Sequence, residues 1–283
     1  MIIRGELILR NYYICSPTWE DKLEFYSMVD CNDMFTSFLR KITTNSSIII
    51  IKRTAGDMVL SSLTPGKRLF LFCTHTDMPS VNSIILDPQT YFKYNEIIVV
   101  LTCKYIQELD YFRGKLRQLI KDRRINIYSR NKLRFYLNVT QEPYPYSNEL
   151  LWLIKSGMLI ADLRTYTLNK MDRFIVCCQQ QTMDIVILLK SLGYDEGNTK
   201  DPGDFIYNRS FIDPNFKTSI DLDVLPWWSK AKHPKQQPQS CLQKEDKNKI
   251  KTFNVCIRGI WVWELKQQDS IKIDQINNQV ELL

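Results

Sequence analysis

An unbroken run of β-branched and aliphatic residues at Glu96–Thr102 constrains the fold more than any other stretch of this chain. A strand without polar alternation is typically buried on both faces, as in parallel or mixed sheets. Apolar residues then recur every three or four positions from Ile106 to Ile120, which predicts an amphipathic helix. We interpret Ile125–Tyr128 as the next strand, so that the whole segment forms a βαβ unit with a right-handed crossover.

Three further apolar runs of strand length indicate that this unit belongs to a larger sheet. They lie at residues 47–52, 69–73 and 174–178, and helical patterns separate them up to residue 194. Strands that alternate with helices are typical of a parallel sheet covered by helices. The predicted fold class is therefore α/β, a three-layer Rossmann-like sheet with helices on both faces and a C-terminal extension.

The same patterns divide the chain into four predicted segments. Residues 1–67 supply a helix beginning near Thr18 and strands that cover the sheet, and residues 68–196 form the α/β core. Residues 197–251 are irregular, basic and partly flexible, because Pro, Lys, Gln and Asn are frequent there. Residues 252–283 supply a strand and a helix that dock on the core, since so short a piece cannot sustain a core alone.

Positive charge is concentrated in the βαβ unit. Between residues 113 and 134 there are nine basic residues and one acid, a local excess of eight in a chain whose total charge is +7. Solvated charged faces usually mix the two signs, so this cluster predicts contact with phosphates or another polyanion. The predicted nucleic-acid-binding residues are Arg113, Lys115, Arg117, Lys121, Arg123, Arg124, Arg130, Lys132 and Arg134.

Composition and motifs exclude several classes of protein. Eight cysteines without a CxxC pair predict buried free thiols, as opposed to a disulfide framework or a zinc site. Charged residues interrupt the apolar amino terminus, so we expect no signal peptide, no membrane span and no membrane partner. An intracellular protein of the nucleus or cytoplasm follows. The sequence contains neither GxGxxG nor GxxxxGK[ST], which argues against a Rossmann dehydrogenase or an NTPase.

The stretch Val99–Asp110 resembles the PIN-domain nucleases, whose second strand and following helix commonly read as an apolar run and then Glu-Leu-Asp. The resemblance covers approximately residues 68–196 and includes the later order of helix, strand and helix. It implies a degenerate PIN-like fold that keeps acids at Glu108 and Glu149. The first-strand Asp of the family falls on Cys73, and its last pair of acids falls on Gln179 and Gln180.

Three functions follow from these patterns and remain open at this stage. The first is a PIN-like pseudonuclease without cofactor that binds RNA or DNA as a scaffold. The second is a divergent endoribonuclease, in which Mg²⁺ or Mn²⁺ would be held by carboxylates. Its catalytic residues would be Glu108, Glu149 and one of Asp77, Asp87 or Asp110. The third is a structural protein-interaction subunit, with a partner surface formed by Trp227, Trp228, Trp261 and Trp263.

Overall fold

A computed structural model describes two long stretches of the chain, residues 58–178 and 180–209, and several shorter ones. The shorter stretches are residues 2–3, 6–8, 10, 12–28, 32–43, 250–256 and 280–281. Internal contacts divide the chain into two units, one of Met1–Ala55 with Thr218–Leu283 and one of Gly56–Lys217. Within the described ranges, no helix has the length and apolar character that crossing a membrane requires.

Among its described residues, the first unit contains small antiparallel sheets and one short helix. Its elements, numbered along the whole chain, are β1 (Ile2–Ile3), β2 (Glu6–Leu7), β3 (Lys22–Met28), α1 (Met34–Leu39), β9 (Ile250–Cys256) and β10 (Val280–Glu281). Strand β9 lies between β10 and β3, and β1 pairs with β2. Helix α1 begins after Asp33, whose carboxylate accepts the backbone N–H of Thr36.

Strand β3 lies where the sequence predicted a helix beginning near Thr18, and that prediction is wrong. The strand pairs antiparallel with β9 over its whole length, from Lys22 opposite Cys256 to Met28 opposite Ile250. A partner strand this far along the chain leaves no local sequence signal, and strand preference depends strongly on such context. Of the helix predicted to begin near Thr18, the described residues form a helix only at α1.

The second unit is an α/β structure built on five strands and seven α-helices among its described residues. The strands are β4 (Arg68–Thr74), β5 (Glu96–Cys103), β6 (Leu133–Val139), β7 (Asp172–Cys177) and β8 (Phe205–Tyr207). The helices are α2 (Met78–Ile85), α3 (Pro88–Lys93), α4 (Leu109–Lys121), α5 (Arg123–Ser129), α6 (Leu150–Lys155), α7 (Met158–Leu163) and α8 (Thr182–Ser191).

All five strands of this unit are parallel, in the order β6-β5-β4-β7-β8. The α/β class and the parallel sheet are therefore confirmed, and β4, β5 and β7 lie at three of the predicted apolar runs. Strand β8 lies beyond residue 196, at which the predicted core segment ends. The strand predicted at residues 47–52 lies outside the described residues.

The core of the second unit forms because its central strands have no polar face. In β4, Phe70 and Phe72 point into a cluster that also contains residues of α6, α7 and α8. The intervening side chains are buried as well, and on that second side Phe112 of α4 makes an edge-to-face contact with Phe135 of β6 at 5.0 Å between ring centroids. Alternate residues of each strand thus bury against different helices.

The segment predicted as a second strand at Ile125–Tyr128 is helix α5, so that prediction is also wrong. Asp122 caps the helix by accepting the backbone N–H of Arg124 at 3.0 Å. Ile125 is fully buried, whereas Ile127 is 76% exposed. Residues two apart share one face of a strand but not of a helix, so this burial fits only the helix. The strand that completes the βαβ unit is β6.

A buried ion pair joins β4 to β7 where both strands begin. The Nε and Nη2 atoms of Arg68 donate to the two carboxylate oxygens of Asp172, each at 2.6 Å. Asp172 is fully buried and also accepts the backbone N–H of Asn169. The Arg68 guanidinium donates further to the carbonyls of Tyr166 and Thr167 at 2.7 and 2.9 Å. The pair therefore fixes the loop before β7 as well as the register of the two strands.

Replacing Asp172 with Asn tests this role, because it keeps the side-chain shape and leaves a buried guanidinium without its anion. We expect Asp172→Asn to lower the free energy of unfolding by about 3 kcal/mol, measured by urea denaturation. The control is Asp201→Asn at an exposed position, which should change it by less than about 0.5 kcal/mol. Equal stability of wild type and Asp172→Asn would show that the pair is dispensable.

Candidate functional site

The order of the parallel strands predicts a crevice at the end of the sheet where the strands finish, and we call this end the carboxyl edge. From β4 the chain proceeds outward to β5 and β6, and it then returns to the other side of β4 to form β7 and β8. The connections that leave β4 and β7 therefore diverge. Open α/β sheets bind ligands at this kind of switch point. The loop segments that flank it here are Thr74–Asp77, which starts at the last residue of β4, and residues 178 and 180–181, which follow β7.

The loop after β4 is organised around the carboxylate of Asp77. Its Oδ2 accepts the Thr74 hydroxyl at 2.5 Å, and the Thr74 and Thr76 hydroxyls lie 2.8 Å apart. The backbone N–H of Asp77 donates to the Thr74 carbonyl at 3.1 Å, which closes a tight turn. Asp77 is only 7% exposed and directly precedes α2. The loop is thus a compact turn that carries a buried acid.

A second group at the carboxyl edge connects this loop to the end of β5. Nδ1 of His75 lies 3.2 Å from Oε2 of Glu108, and the same oxygen accepts the backbone N–H of Lys104 at 2.7 Å. Burial lowers the pKa of His75, and Lys104 lowers it further, against an opposing effect of Glu108. His75 is therefore neutral at neutral pH. Lys104 and Tyr105 are exposed beside it.

Four cysteines lie at the ends of the central strands. Cys73, Cys103, Cys177 and Cys178 are each at most 3% exposed, and all four are free thiols. Burial raises the pKa of Cys103 and of Cys177 to about 12, and it raises the pKa values of Cys73 and Cys178 well above the ordinary value. These side chains are neutral apolar packing residues, as the sequence predicted, and none is available as a thiolate nucleophile.

Alkylation of the native protein tests the state of these thiols. With a pKa of about 12, a thiol is ionised to only about one part in 10⁴ at pH 8, and burial excludes the reagent as well. We expect Cys73, Cys103, Cys177 and Cys178 to remain unlabelled by iodoacetamide until urea is added, as measured by peptide mass spectrometry. Rapid labelling of Cys103 or Cys177 in the native protein would contradict the assigned burial.

The acids predicted to bind a metal ion do not form a metal centre. The carboxylate of Glu108 is used by His75 and by the backbone of Lys104, and Asp87 caps α3 by accepting the N–H of Gln89. Glu149 is exposed at the start of α6. The side chain of Asp110 lies outside the described residues. In the part of the chain that the structure describes, no three His, Cys, Asp or Glu residues are placed to hold a metal ion.

Several predicted nucleic-acid-binding residues have structural roles. The Lys132 ammonium donates to the carbonyls of Tyr91 and Tyr94. The guanidinium of Arg134 pairs with Glu96 at 2.7 Å, and that of Arg124 pairs with Asp122 at 2.6 Å. Arg113 is half-buried, and the side chain of Lys115 lies outside the described residues. The exposed remainder consists of Arg117, Lys121, Arg123 and Arg130.

These exposed basic residues lie away from the crevice. Helix α4 begins at the carboxyl edge, runs back along the sheet and ends at Lys121, about 18 Å further on at 1.5 Å per residue. Arg123 and Arg130 follow before β6 starts at the opposite edge. The basic residues and the crevice are therefore separate features. Trp227, Trp228, Trp261 and Trp263, proposed as a partner surface, all lie outside the described residues.

The first unit contains a group of side chains near Arg10 that the sequence patterns did not single out. The Tyr12 ring stacks on Phe35 at 6.1 Å between centroids, and the Arg10 guanidinium pairs with Asp33 at 3.3 Å. The Arg10 side chain remains 54% exposed, and Tyr13 is 38% exposed. The signal available in the sequence was the spacing of Arg10 and Tyr13, a cation and an aromatic residue three positions apart, and the structure adds that both are exposed to solvent.

Comparison with known proteins gives a consistent result. No family model matches the chain. The chain is 32% identical over 213 residues to ferredoxin–NADP reductase A of Sorangium cellulosum (strain So ce56), which covers 75% of this chain and 77% of that protein. It is 31% identical over 210 residues to the flavodoxin/ferredoxin–NADP reductase of Rhodobacter capsulatus, covering 74% of this chain and 78% of that protein.

A solved structure has the same fold. The ferredoxin NADP⁺ reductase of Neisseria gonorrhoeae, crystallised with bound FAD and NADP, superposes with a TM-score of 0.62 at 20% identity. The superposition covers 71% of this chain and 79% of that one. At this level of identity the match supports the fold alone.

These similarities overturn the PIN-like interpretation, the pseudonuclease and nucleic-acid scaffold built on it, and the expected RNA or DNA partner. The expectation of no cofactor, with Mg²⁺ or Mn²⁺ only for a nuclease, is wrong for the same reason. The Glu-Leu-Asp motif that suggested a nuclease has a local cause. Glu108 caps the short 3₁₀ turn Ile106–Glu108 before α4, and acids are favoured at helix starts generally.

Proposed function

The chain belongs to the ferredoxin–NADP reductase family, and from that premise we propose that it is an FAD-dependent oxidoreductase. In this proposal it transfers electrons between NADP(H) and a small electron-carrier protein of the ferredoxin or flavodoxin type. The observation that carries the proposal is the 32% identity over 213 residues to a ferredoxin–NADP reductase. That match extends over three quarters of the chain and so cannot arise from a single shared motif.

In this proposal FAD and NADP(H) would carry out the electron transfer, and the protein would hold them in place. FAD would exchange a hydride with NADP(H) and single electrons with the carrier, which no amino-acid side chain can do. The chain itself would bind and orient the two nucleotides. The neutral thiols at the carboxyl edge suit this role, because buried groups that do not ionise leave the redox chemistry to the cofactor.

We assign the flavin nucleotide to the first unit. Among the described residues of that unit, Arg10 offers a guanidinium that can neutralise a phosphate, and Tyr13 offers a partly exposed ring that can stack on an isoalloxazine. The Ser16 hydroxyl is held in place because it accepts the backbone N–H of Glu24 at 3.1 Å. These donors fit a flavin dinucleotide, which has both phosphates and a large flat ring.

We assign the nicotinamide nucleotide to the crevice at the carboxyl edge of the second unit. The switch point of the parallel sheet is where such folds bind dinucleotides. Lys104 is exposed there and can bind a phosphate, and Tyr105 can lie against a ribose or a base. The first turn of α8, at Thr182, lies at the same edge after β7. These residues fit the nucleotide, although the loop at Asp77 offers it little.

The exposed basic residues of α4 and α5 are not used in this proposal. They lie towards the opposite edge of the sheet from the crevice, so they are not placed to contact a nucleotide bound there. Their part in binding an anionic surface stays a prediction. The carrier protein is expected to approach the flavin, and therefore the first unit.

Flavin binding is the first test of the proposal. The protein should purify with a visible flavin spectrum, or acquire one on incubation with FAD, and the released flavin should be FAD by chromatography. Under anaerobic conditions NADPH should bleach that spectrum, and added ferredoxin should restore it. A folded protein that takes up no flavin from excess FAD would refute the proposal.

Variants of Arg10 test the assigned residue. Arg10→Ala removes the phosphate contact and should weaken FAD retention about tenfold, as expected for one lost bond to a charged group. Arg10→Lys keeps the charge and should lose less. Arg40→Ala, another exposed arginine of the first unit, serves as the control and should retain FAD like wild type. Equal retention by Arg10→Ala and Arg40→Ala would rule out the assignment of Arg10.

A further inference from the structure

The loop between β4 and α2 is the part of the crevice on which a dinucleotide normally places its two linked phosphates. The backbone there must approach the phosphates closely, so such loops are usually rich in glycine. This chain has no glycine between Gly66 and Gly114. All four residues of the loop, Thr74–Asp77, therefore carry a side chain where a diphosphate needs bare backbone.

The backbone donors of this loop are also occupied within the protein. The N–H of Asp77 donates to the Thr74 carbonyl at 3.1 Å, and the N–H of Ser80 donates to the Asp77 carbonyl at 3.0 Å. Pro79 has no N–H to offer. An anion bound at a helix N-terminus depends on the free N–H groups of the first turn. Helix α2 thus retains few of the donors that a diphosphate would use.

The carboxylate of Asp77 occupies the place at the start of α2 where a bound phosphate would lie. Asp77 accepts the hydroxyls of Thr74 and Thr76 at 2.5 and 3.4 Å, so both hydroxyl donors of the loop already point at an acid of the chain. At 7% exposure the carboxylate is poorly screened by water. A phosphate brought to α2 would meet this negative charge at short range.

We propose that Asp77 acts as an internal substitute for the nucleotide diphosphate at α2, and that its negative charge makes this chain a weak binder of NADP(H). The inference rests on the proposed function and specifies how its nucleotide site is tuned. NADP(H) would then be held mainly by Lys104 and the start of α8. Removing the charge should end the repulsion of the diphosphate and weaken the hydrogen bonds that hold the Thr74 and Thr76 hydroxyls.

The test measures NADPH affinity of the FAD-loaded full chain by titration calorimetry. Asp77→Asn keeps the shape and removes the charge, and it should bind NADPH at least about tenfold more tightly than wild type. Asp87→Asn is the matched control. It removes the same charge from the cap of α3, about 12 Å away at the far end of α2, and Asn remains a good cap. Its affinity should stay within about twofold of wild type.

A second ligand separates a local effect from a general one. Adenosine 2′-monophosphate lacks the diphosphate, so wild type and Asp77→Asn should bind it equally. Tighter binding of this ligand by Asp77→Asn would overturn the assignment of Asp77 to the diphosphate. If Asp77→Asn folds poorly, as judged by its urea midpoint, Asp77→Gly supplies the same comparison and also removes the side chain.

The possible failures are distinguishable. Tight NADPH binding by wild type, unchanged in Asp77→Asn and Asp77→Gly, would overturn the inference and leave the proposed function intact. Retention of FAD with no NADPH binding by any variant would overturn both the inference and the nicotinamide half of the proposed function. Failure of every variant to bind FAD or NADPH would refute the proposed function as a whole.

Discussion

Strand β4 is paired on both edges and buried on both faces, and the rest of the second unit depends on this constraint. Its neighbours β5 and β7 are in parallel register with it along almost their full lengths. The connections leaving β4 and β7 must then diverge, which opens the crevice at the carboxyl edge. At the other end of the same two strands, the buried Arg68–Asp172 pair fixes their register. One strand thus positions both the stabilising ion pair and the candidate site.

The loop at the crevice shows how internal stability and ligand binding compete for the same groups. A helix N-terminus attracts anions only while its donors lack partners. Here the side chains and backbone of Thr74, Asp77 and Ser80 satisfy one another, and a buried carboxylate supplies the negative charge. The interactions that close this turn are those that a diphosphate would have to replace. Membership of a reductase family and a poor phosphate loop are therefore compatible in one chain.

The sequence predicted the features that depend on local patterns and missed those that depend on distant partners. Strands β4, β5 and β7 were readable because strands buried on both faces are continuous apolar runs. Helix α8 was readable from its spacing and from Gly193, which follows it at φ 81°. Strand β3 was missed because its partner, β9, is remote in the chain. Helix α5 was misread because the four-residue segment Ile125–Tyr128 is too short for its apolar pattern to distinguish a strand from a helix.

The candidate site was harder to predict than the fold. The Glu-Leu-Asp motif marks a helix start, and Glu108 is used there by His75 and by the backbone. It carries no information about metal binding. The absence of a glycine-rich motif argued against a dinucleotide site. It correctly indicates that the loop after β4 has side chains where a diphosphate needs bare backbone. What the sequence could not show is that the strand order still builds the crevice, since strand order is not visible in local patterns.

Hydrogen–deuterium exchange on the FAD-loaded chain, with and without saturating NADPH, tests the central claim most directly. The claim is that a reductase of this family binds its nicotinamide nucleotide at the carboxyl edge of the sheet. It predicts slower exchange in residues 104–106 and 180–182 on adding NADPH, and no change in residues 117–130. Protection confined to the basic residues of α4 and α5, or no protection anywhere at saturation, would contradict it.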